Sequence, residues 1–331
     1  MAGPYTVASL FAGIGGICLG FKQAGAEVVW ANEIDKDACA TYRAFYNNPD
    51  YLCQGDIYQL SVPERTKVDI VAAGFPCQAF SIAGYRKGFG DDRGVLYTQV
   101  VRIIKEADPK AVFLENVKNL KTHDHGNTYR VIRESLEAEG YAVKEKVLNT
   151  MEYGNIPQNR ERIYVVAFKE DIPGTKISKA MDAFEFPEPR KLSRTVRDLF
   201  DYSEKKPEKY YYKSSHMYYP KLDAAMTNPD TVYQWRRVYV RENKSGVCPT
   251  LTANMGCGGH NVPLIRDDNG IRKFTPEECL ALQGFPSDFK FPADMADSHK
   301  YKQAGNSVSV PVIRRIAENM IRAMDSAGYR E

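Results

Sequence analysis

The strongest constraint in this chain is the alternation, through its first half, of short β-branched runs with amphipathic stretches. Runs at 5–11, 27–32, 68–73, 111–115, 142–148 and 163–168 read as strands, and 15–24, 35–46, 96–107 and 128–138 read as helices. Strands separated by helices pair in parallel and are covered on both faces, so the expected fold class is α/β, a mostly parallel, doubly wound sheet. Ligands of such sheets bind beyond the carboxyl ends of the strands. The residues that follow each strand are therefore the first candidates for function.

Beyond 185 the alternation stops and the sequence turns Pro-, Tyr- and Lys-rich, as in Phe186-Pro187-Glu188-Pro189 and Ser203-Glu204-Lys205-Lys206-Pro207, which marks a change of domain. Regular structure resumes at Thr275-Pro276-Glu277-Glu278, where Thr as N-cap, Pro in the first helical position and Glu in the third form a capping box. The stretch 312–324 puts Val312, Ile313, Ile316, Met320 and Met324 on one helical face, and the sheet of the first domain is the surface expected to cover it. The 331 residues then divide into a large domain, 1–186 with 302–331, and a smaller one, 187–301.

Composition narrows the class without naming a function. With 43% hydrophobic and 26% charged residues the chain is neither disordered nor membrane-like, and no apolar run approaches the length of a spanning helix. The start, Met1-Ala2-Gly3-Pro4, lacks the basic region and apolar stretch of a secretory signal, so a cytoplasmic location is expected. Seven cysteines, at 18, 39, 53, 77, 248, 257 and 279, are odd in number, scattered and without a CxxC pair, so neither a disulfide framework nor a metal site is expected. The net charge of +3 does not demonstrate a nucleic-acid partner. From Phe186 to Ser245, however, 13 Lys/Arg stand against 8 Asp/Glu among eight tyrosines. That mixture suits contact with a nucleic-acid backbone, and a solvated surface over core tyrosines has the same composition.

Several segments carry chemistry. Phe11-Ala12-Gly13-Ile14-Gly15-Gly16 is a glycine-rich turn opening a helix, where a nucleotide-like ligand can approach the backbone. Cys18 stands where the third glycine of G-x-G-x-x-G would be, which argues against a nicotinamide dehydrogenase. Glu33, at the end of the second strand, is placed to accept from ribose hydroxyls, and Asp56 from an adenine amino group; a helix cap or surface charge would use the same residues. Gly74-Phe75-Pro76-Cys77-Gln78-Ala79-Phe80-Ser81 puts a cysteine in a strand-to-loop turn, exposed to ligand rather than packed. Gly84, Gly88, Gly90 and Gly94 follow among Arg86, Lys87 and Arg93, the composition of a mobile basic lid. Glu115 ends its strand at the same sheet edge. Arg160 and Arg162 bring two guanidinium groups suited to an anion or a base carbonyl, and Gly305-Asn306-Ser307-Val308 supplies small polar residues before the last helix.

Taken in order, FAGIGG, a glutamate after the second strand, GDI, GFPCQAFS, ENV, QNRERI and GNSV make the chain resemble the DNA (cytosine-5)-methyltransferases over nearly its whole length. The resemblance implies a Rossmann-like fold that binds S-adenosylmethionine, a small target-recognition domain, and double-stranded DNA held in the cleft between them. It assigns Cys77 as nucleophile, Glu115 to N3 and the exocyclic amine of cytosine, and Arg162, helped by Arg160, to O2. Phe11, Gly13, Gly15, Glu33, Ile34, Asp56, Ile57, Pro76, Leu96, Asn306 and Ser307 are implied as cofactor contacts. DNA contacts are expected from Gln78, Ser81, Arg86 and Lys87 and, in the small domain, from Arg236, Arg237, Arg241, Thr250 and Gly258. Because Cys77 cannot reach C6 within a stacked duplex, the cytosine must flip out.

Two departures stand out: Ser9 where many relatives carry Asp, and Cys257 where threonine is expected, which leaves a thiol beside DNA. A restriction–modification role is expected, with the enzyme acting as a monomer and any cognate endonuclease not held in a stable complex. The alternatives are a tRNA cytosine methyltransferase on the same scaffold, which typically carries Pro where this chain has Phe75, and a catalytically silent DNA-binding homologue, which the presence of Cys77, Glu115, Arg160 and Arg162 disfavours.

Overall fold

Among the described residues, eight strands carry the first half: β1 (Thr6–Leu10), β2 (Glu27–Glu33), β3 (Leu52–Gln54), β4 (Ile70–Ala73), β5 (Ala111–Val117), β6 (Tyr141–Asn149), the two-residue β7 (Gln158–Asn159) and β8 (Glu161–Lys169). The computed structural model describes residues 3–76, 96–243, 245–257 and 261–330. All except β7 form one seven-stranded sheet in the order β3-β2-β1-β4-β5-β8-β6. The pairs among β3, β2, β1, β4 and β5 are parallel, and β8 runs antiparallel to β5. The doubly wound pattern expected from the alternation is thus present. The short edge strand β3, three residues long, is below what periodicity can detect.

Four helices in the expected places flank the sheet: α1 (Gly16–Gln23), α2 (Lys36–Phe45), α3 (Leu96–Ala107) and α4 (Asn127–Ala138). Successive side chains of a strand face opposite sides, so Val112 and Leu114 join Tyr97, Val100 and Ile104 of α3 and Ile132 and Leu136 of α4 in one core cluster. Phe113, between them, meets Phe21 of α1 edge to face, with ring centroids 5.4 Å apart. The helix Val310–Ser326 buries Val312, Ile313, Ile316, Met320 and Met324, the face foreseen in the sequence. It lies so close to α1 that a Cβ on Gly20 would stand 2.6 Å from Ile313 Cγ2, and Tyr5 Oη closes its end by donating to Asp325 at 2.9 Å.

Two compact units divide the chain, one comprising 1–148, 161–188 and 312–331, the other 149–160 and 189–311. In the second, β9 (Tyr233–Arg236), β10 (Tyr239–Glu242), β12 (Leu264–Asp267) and β13 (Gly270–Lys273) form an antiparallel sheet in the order β10-β9-β12-β13. The two-residue β11 (Cys248–Pro249) pairs instead with β7, which brings 149–160 into this unit. Strands of four residues offer only two side chains per face, too few for their alternation to register in the sequence. Tyr233, Leu264 and Ile271 pack on Leu222 and Met226 as the core.

Two ionic features anchor the units. Arg272, fully buried, pairs with Asp267 (Nε–Oδ2 2.5 Å) and with Glu278 (2.7 and 2.8 Å), while Glu278 also closes the capping box with Thr275. Burial works against the guanidinium's charge, but the two carboxylates outweigh it and hold its pKa above the ordinary value. Removing one partner of a buried pair strands the other's charge, so Arg272→Ala should lower the unfolding free energy of this unit by about 3–5 kcal/mol in urea titration. In the first unit, Asp69 accepts from Thr6 N at 3.0 Å and lies 3.3 Å from Lys110. Burial would raise its pKa, yet these donors bring it below the ordinary carboxylate value. A depressed folded pKa gives stability that is present above the unfolded value and lost as pH falls through the folded one. Asp69→Asn should therefore flatten the loss of stability seen below about pH 4.

Candidate active site

The parallel register aligns the strand ends. Leu10 pairs with Ala73 and Ala73 with Leu114, so Phe11 and Gly74 leave the sheet at the level where β5 carries Glu115 on toward its own end at Val117. From β1 the chain enters the turn expected to hold a ligand. Gly15 caps α1 with φ 88°, and a Cβ there would meet Tyr46 Cε2 at 2.4 Å and Tyr42 Cε2 at 2.8 Å, so glycine is required on both counts. Tyr46 Oη donates to the Gly15 carbonyl at 2.8 Å. Gly13, at φ 57°, presents open backbone, since a Cβ placed on it would meet nothing within 4 Å.

Glu33 braces this turn. Its Oε2 accepts from Gly13 N at 2.7 Å, and its Oε1 accepts from Ile34 N and Asp35 N at 2.9 and 2.8 Å. Ile34 beside it is 63% exposed, an apolar side chain offered to solvent at the end of β2. Asp56 caps the short turn Ile57–Gln59 by accepting from Tyr58 N at 3.1 Å, and Ile57 is buried in the core. Three residues that sequence reasoning does not single out hold these pieces. Asn32 donates to the Gly55 carbonyl at 2.9 Å, and Arg102 of α3 donates to the carbonyls of Ile57 and Leu60 at 2.7 and 2.8 Å. Tyr46 is the third. Each acts through backbone carbonyls, which carry no sequence signature. Ser9 is fully buried on β1.

Glu115 and Arg162 come together. Val117 of β5 lies opposite Arg162 of β8, and Glu115, two residues back, shares its face, a diagonal that long side chains bridge. Arg162 Nε stands 3.2 Å from Glu115 Oε1, with both side chains largely buried. The neighbouring Asn116 donates from Nδ2 to the Phe75 carbonyl at 2.9 Å, which fixes the exit from β4 toward exposed Pro76. Cys77, Gln78, Ser81, Arg86 and Lys87 lie outside the described residues, as does Gly258. Leu96, half-buried, opens α3.

The remaining candidates belong to the second unit. Arg236, Arg237 and Arg241 are exposed on the hairpin β9–β10, whose tip is Arg237-Val238, and Arg241 donates to Gln234 Oε1 at 2.9 Å. Thr250 Oγ1 donates to the Asn159 carbonyl at 2.6 Å. Asn306 is exposed and Ser307 buried, at the end of the helix Asp297–Asn306. Arg160, expected to assist Arg162, is buried with its guanidinium on the carbonyls of Leu251, Gly305 and Ser307.

A carboxylate paired with a guanidinium thus stands on the sheet that also carries the glycine turn braced by a second carboxylate, and the sequence that builds it matches a known family. Residues 5–322 match the C-5 cytosine-specific DNA methylases. The chain belongs to this family. The methylase is 52% identical over 321 residues to the type II methyltransferase M.Bsp6I of Bacillus sp. (strain RFL6), covering 96% of this chain and 99% of that protein. It is 37% identical over 341 residues to M.HhaI of Haemophilus parahaemolyticus, covering 97% and 95%. Among solved structures, the S. pombe Dnmt2 methyltransferase matches with a TM-score of 0.72 at 19% identity, over 97% of this chain and 99% of that one. The Entamoeba histolytica methyltransferase EhMeth gives 0.67 at 19%, over 97% and 98%. These two likenesses show the Rossmann-like methyltransferase fold. The methylase acts on C5 of cytosine in DNA, and use of S-adenosylmethionine is general to its family.

Among the described residues no helix is long and apolar enough to cross a membrane. The thiols of the methylase differ sharply in access. Burial pushes the pKa of Cys18, Cys248 and Cys279 up and that of Cys39 up to about 12, whereas Cys257 is exposed. Since the thiolate is the reactive form, iodoacetamide at neutral pH should modify Cys257 well before those four, as peptide mass mapping over a time course would show.

Proposed function

We propose that the methylase is the modification enzyme of a restriction–modification system, methylating one cytosine within a short recurring site in double-stranded DNA. The single observation that carries the catalytic part of this reading is the buried Glu115–Arg162 pair at the carboxyl edge of the sheet. The relatives' description as type II methyltransferases supports the biological part.

The turn and its neighbours fit S-adenosylmethionine. Open backbone at Gly13 admits a ligand, exposed Ile34 offers a flat apolar contact for a purine, and the Glu33 carboxylate, with three N–H donors already bound, keeps about one lone-pair direction for a ribose hydroxyl. Phe11, Gly15, Asp56, Ile57, Pro76 and Leu96, and Asn306 and Ser307 of the second unit, are the other contacts we assign to it. When bound, it supplies an electrophilic sulfonium methyl group.

In the mechanism we infer, cytosine leaves the stack and enters the site at the sheet edge. The Cys77 thiolate adds to C6, forming the S–C6 bond, while Glu115 holds N3 and the exocyclic amine and shares the proton that N3 gains. Arg162 holds O2 and, through its pair with Glu115, fixes the carboxylate's direction. C5 takes the methyl group that bound S-adenosylmethionine would supply, the S–CH3 bond breaking to leave S-adenosylhomocysteine. Loss of the C5 proton to water, with the N3 proton returned to Glu115, then expels the Cys77 thiolate. Gln78, Ser81, Arg86, Lys87, Thr250 and Gly258 are assigned to the DNA around the flipped base, and Arg236, Arg237 and Arg241 to the major groove, where arginine reads guanine.

Incubation with genomic DNA and labelled S-adenosylmethionine, followed by bisulfite sequencing, should place methyl groups at C5 within one short motif. Label on tRNA and none on DNA would contradict the reading. Glu115→Gln should lower kcat about 10²–10⁴-fold, the usual contribution of a positioned proton-sharing group, in steady-state assays. Arg241→Ala should cost about 1–3 kcal/mol of discrimination at one base pair, read by competition binding against single-substituted duplexes.

A further inference from the structure

Arg160 lies two residues from Arg162 but has a different environment. The residue is 2% exposed, and its guanidinium serves two separate backbone segments of the second unit. One N–H donates to the Leu251 carbonyl at 2.8 Å, and the other nitrogen serves the carbonyls of Gly305, at 3.4 Å, and Ser307. The first segment follows Thr250, assigned above to DNA, and the second holds Asn306 and Ser307, assigned to the cofactor. A planar fork of fixed donors ties both, which a point-charge ammonium cannot do.

The surroundings leave the two segments little freedom to move apart. Gly305 packs so tightly on Thr252 that a Cβ would stand 2.2 Å from its carbonyl carbon. Gln158 accepts from Leu251 N at 3.1 Å and donates to the Leu282 carbonyl at 2.6 Å, and β7 pairs with β11 just before Thr250. Gln283 donates to the Ala304 carbonyl at 2.9 Å on the other side. Ser307 Oγ, by contrast, is buried with no hydrogen-bond partner among the described residues, a polar atom that a bound ligand would satisfy.

We infer that Arg160 is a positioning residue that couples cofactor occupancy at Asn306–Ser307 to the conformation of the DNA-contacting segment 250–252. The inference rests on the cofactor and DNA assignments made above. Ligand at Ser307 orders the carbonyls on one arm of the guanidinium, and the other arm carries that order to Leu251.

The test uses S-adenosylhomocysteine as the cofactor probe and a duplex containing the methylated motif. Each ligand's affinity is measured alone and with the other present. Wild type should bind duplex at least about 5-fold tighter with S-adenosylhomocysteine, the low end of ordinary coupling between sites, and Arg160→Lys should bring that ratio toward one. Amide hydrogen exchange gives a second readout on the unmodified protein: S-adenosylhomocysteine alone should slow exchange at Leu251 and Thr252. Unchanged exchange there, or equal ratios in wild type and variant, would overturn the inference. Should Arg160→Lys fail to fold, the exchange result on wild type decides alone. Failure of wild type to bind S-adenosylhomocysteine would overturn the cofactor assignment itself, which separates the two.

Discussion

The parallel register of β1, β4 and β5 is the constraint on which the rest of the first unit depends. Because Leu10, Ala73 and Leu114 are paired in line, the glycine turn after β1 and the exit from β4 leave the sheet at the level where β5 carries Glu115. A shift of one residue in one of these pairings would turn that strand's side chains to the opposite face, and the same slip between β5 and β8 would take Glu115 away from Arg162. The register is in turn held by burial on both sides, with Val112 and Leu114 packed toward α3 and α4 and Phe113 toward α1.

The polar groups of this edge divide by task. Glu33 and Asp56 spend their oxygens largely on local N–H groups and so shape the turns. Glu115 and Arg162 neutralise each other in a largely buried site, the arrangement needed if a neutral, planar base is to replace water there. Arg160, adjacent in the same motif, is committed to backbone carbonyls. Two arginines separated by one residue thus have different partners, Arg162 the Glu115 carboxylate and Arg160 the carbonyls of two backbone segments.

How much of this is legible in the sequence follows from the physics of each signal. The long strands and helices of the first unit, and the apolar face of the last helix, announce themselves by periodicity, since each repeats its pattern over several turns or pleats. The capping box at Thr275 is readable because its three residue types act within one turn. The four-stranded sheet of the second unit is not, because strands such as Tyr233–Arg236 are too short to show alternation. Nor is the pairing of β7 with β11, which draws 149–160 away from its sequence neighbours through two residue pairs. At the site, Glu115 and Arg162 are evident from their motifs, while the supports from Asn32, Tyr46 and Arg102 escape notice because they act on backbone carbonyls distant in the chain.

The proposed chemistry makes a covalent bond between the protein and cytosine, and one measurement addresses it directly. A duplex carrying 5-fluorocytosine at the methylated position blocks loss of the C5 substituent, so the adduct should persist after methyl transfer. Digestion and mass spectrometry should then find the methylated fluorocytosine nucleotide on the peptide containing Cys77. An enzyme that methylates unsubstituted DNA yet yields no adduct, or yields it on another residue, would contradict the proposed chemistry.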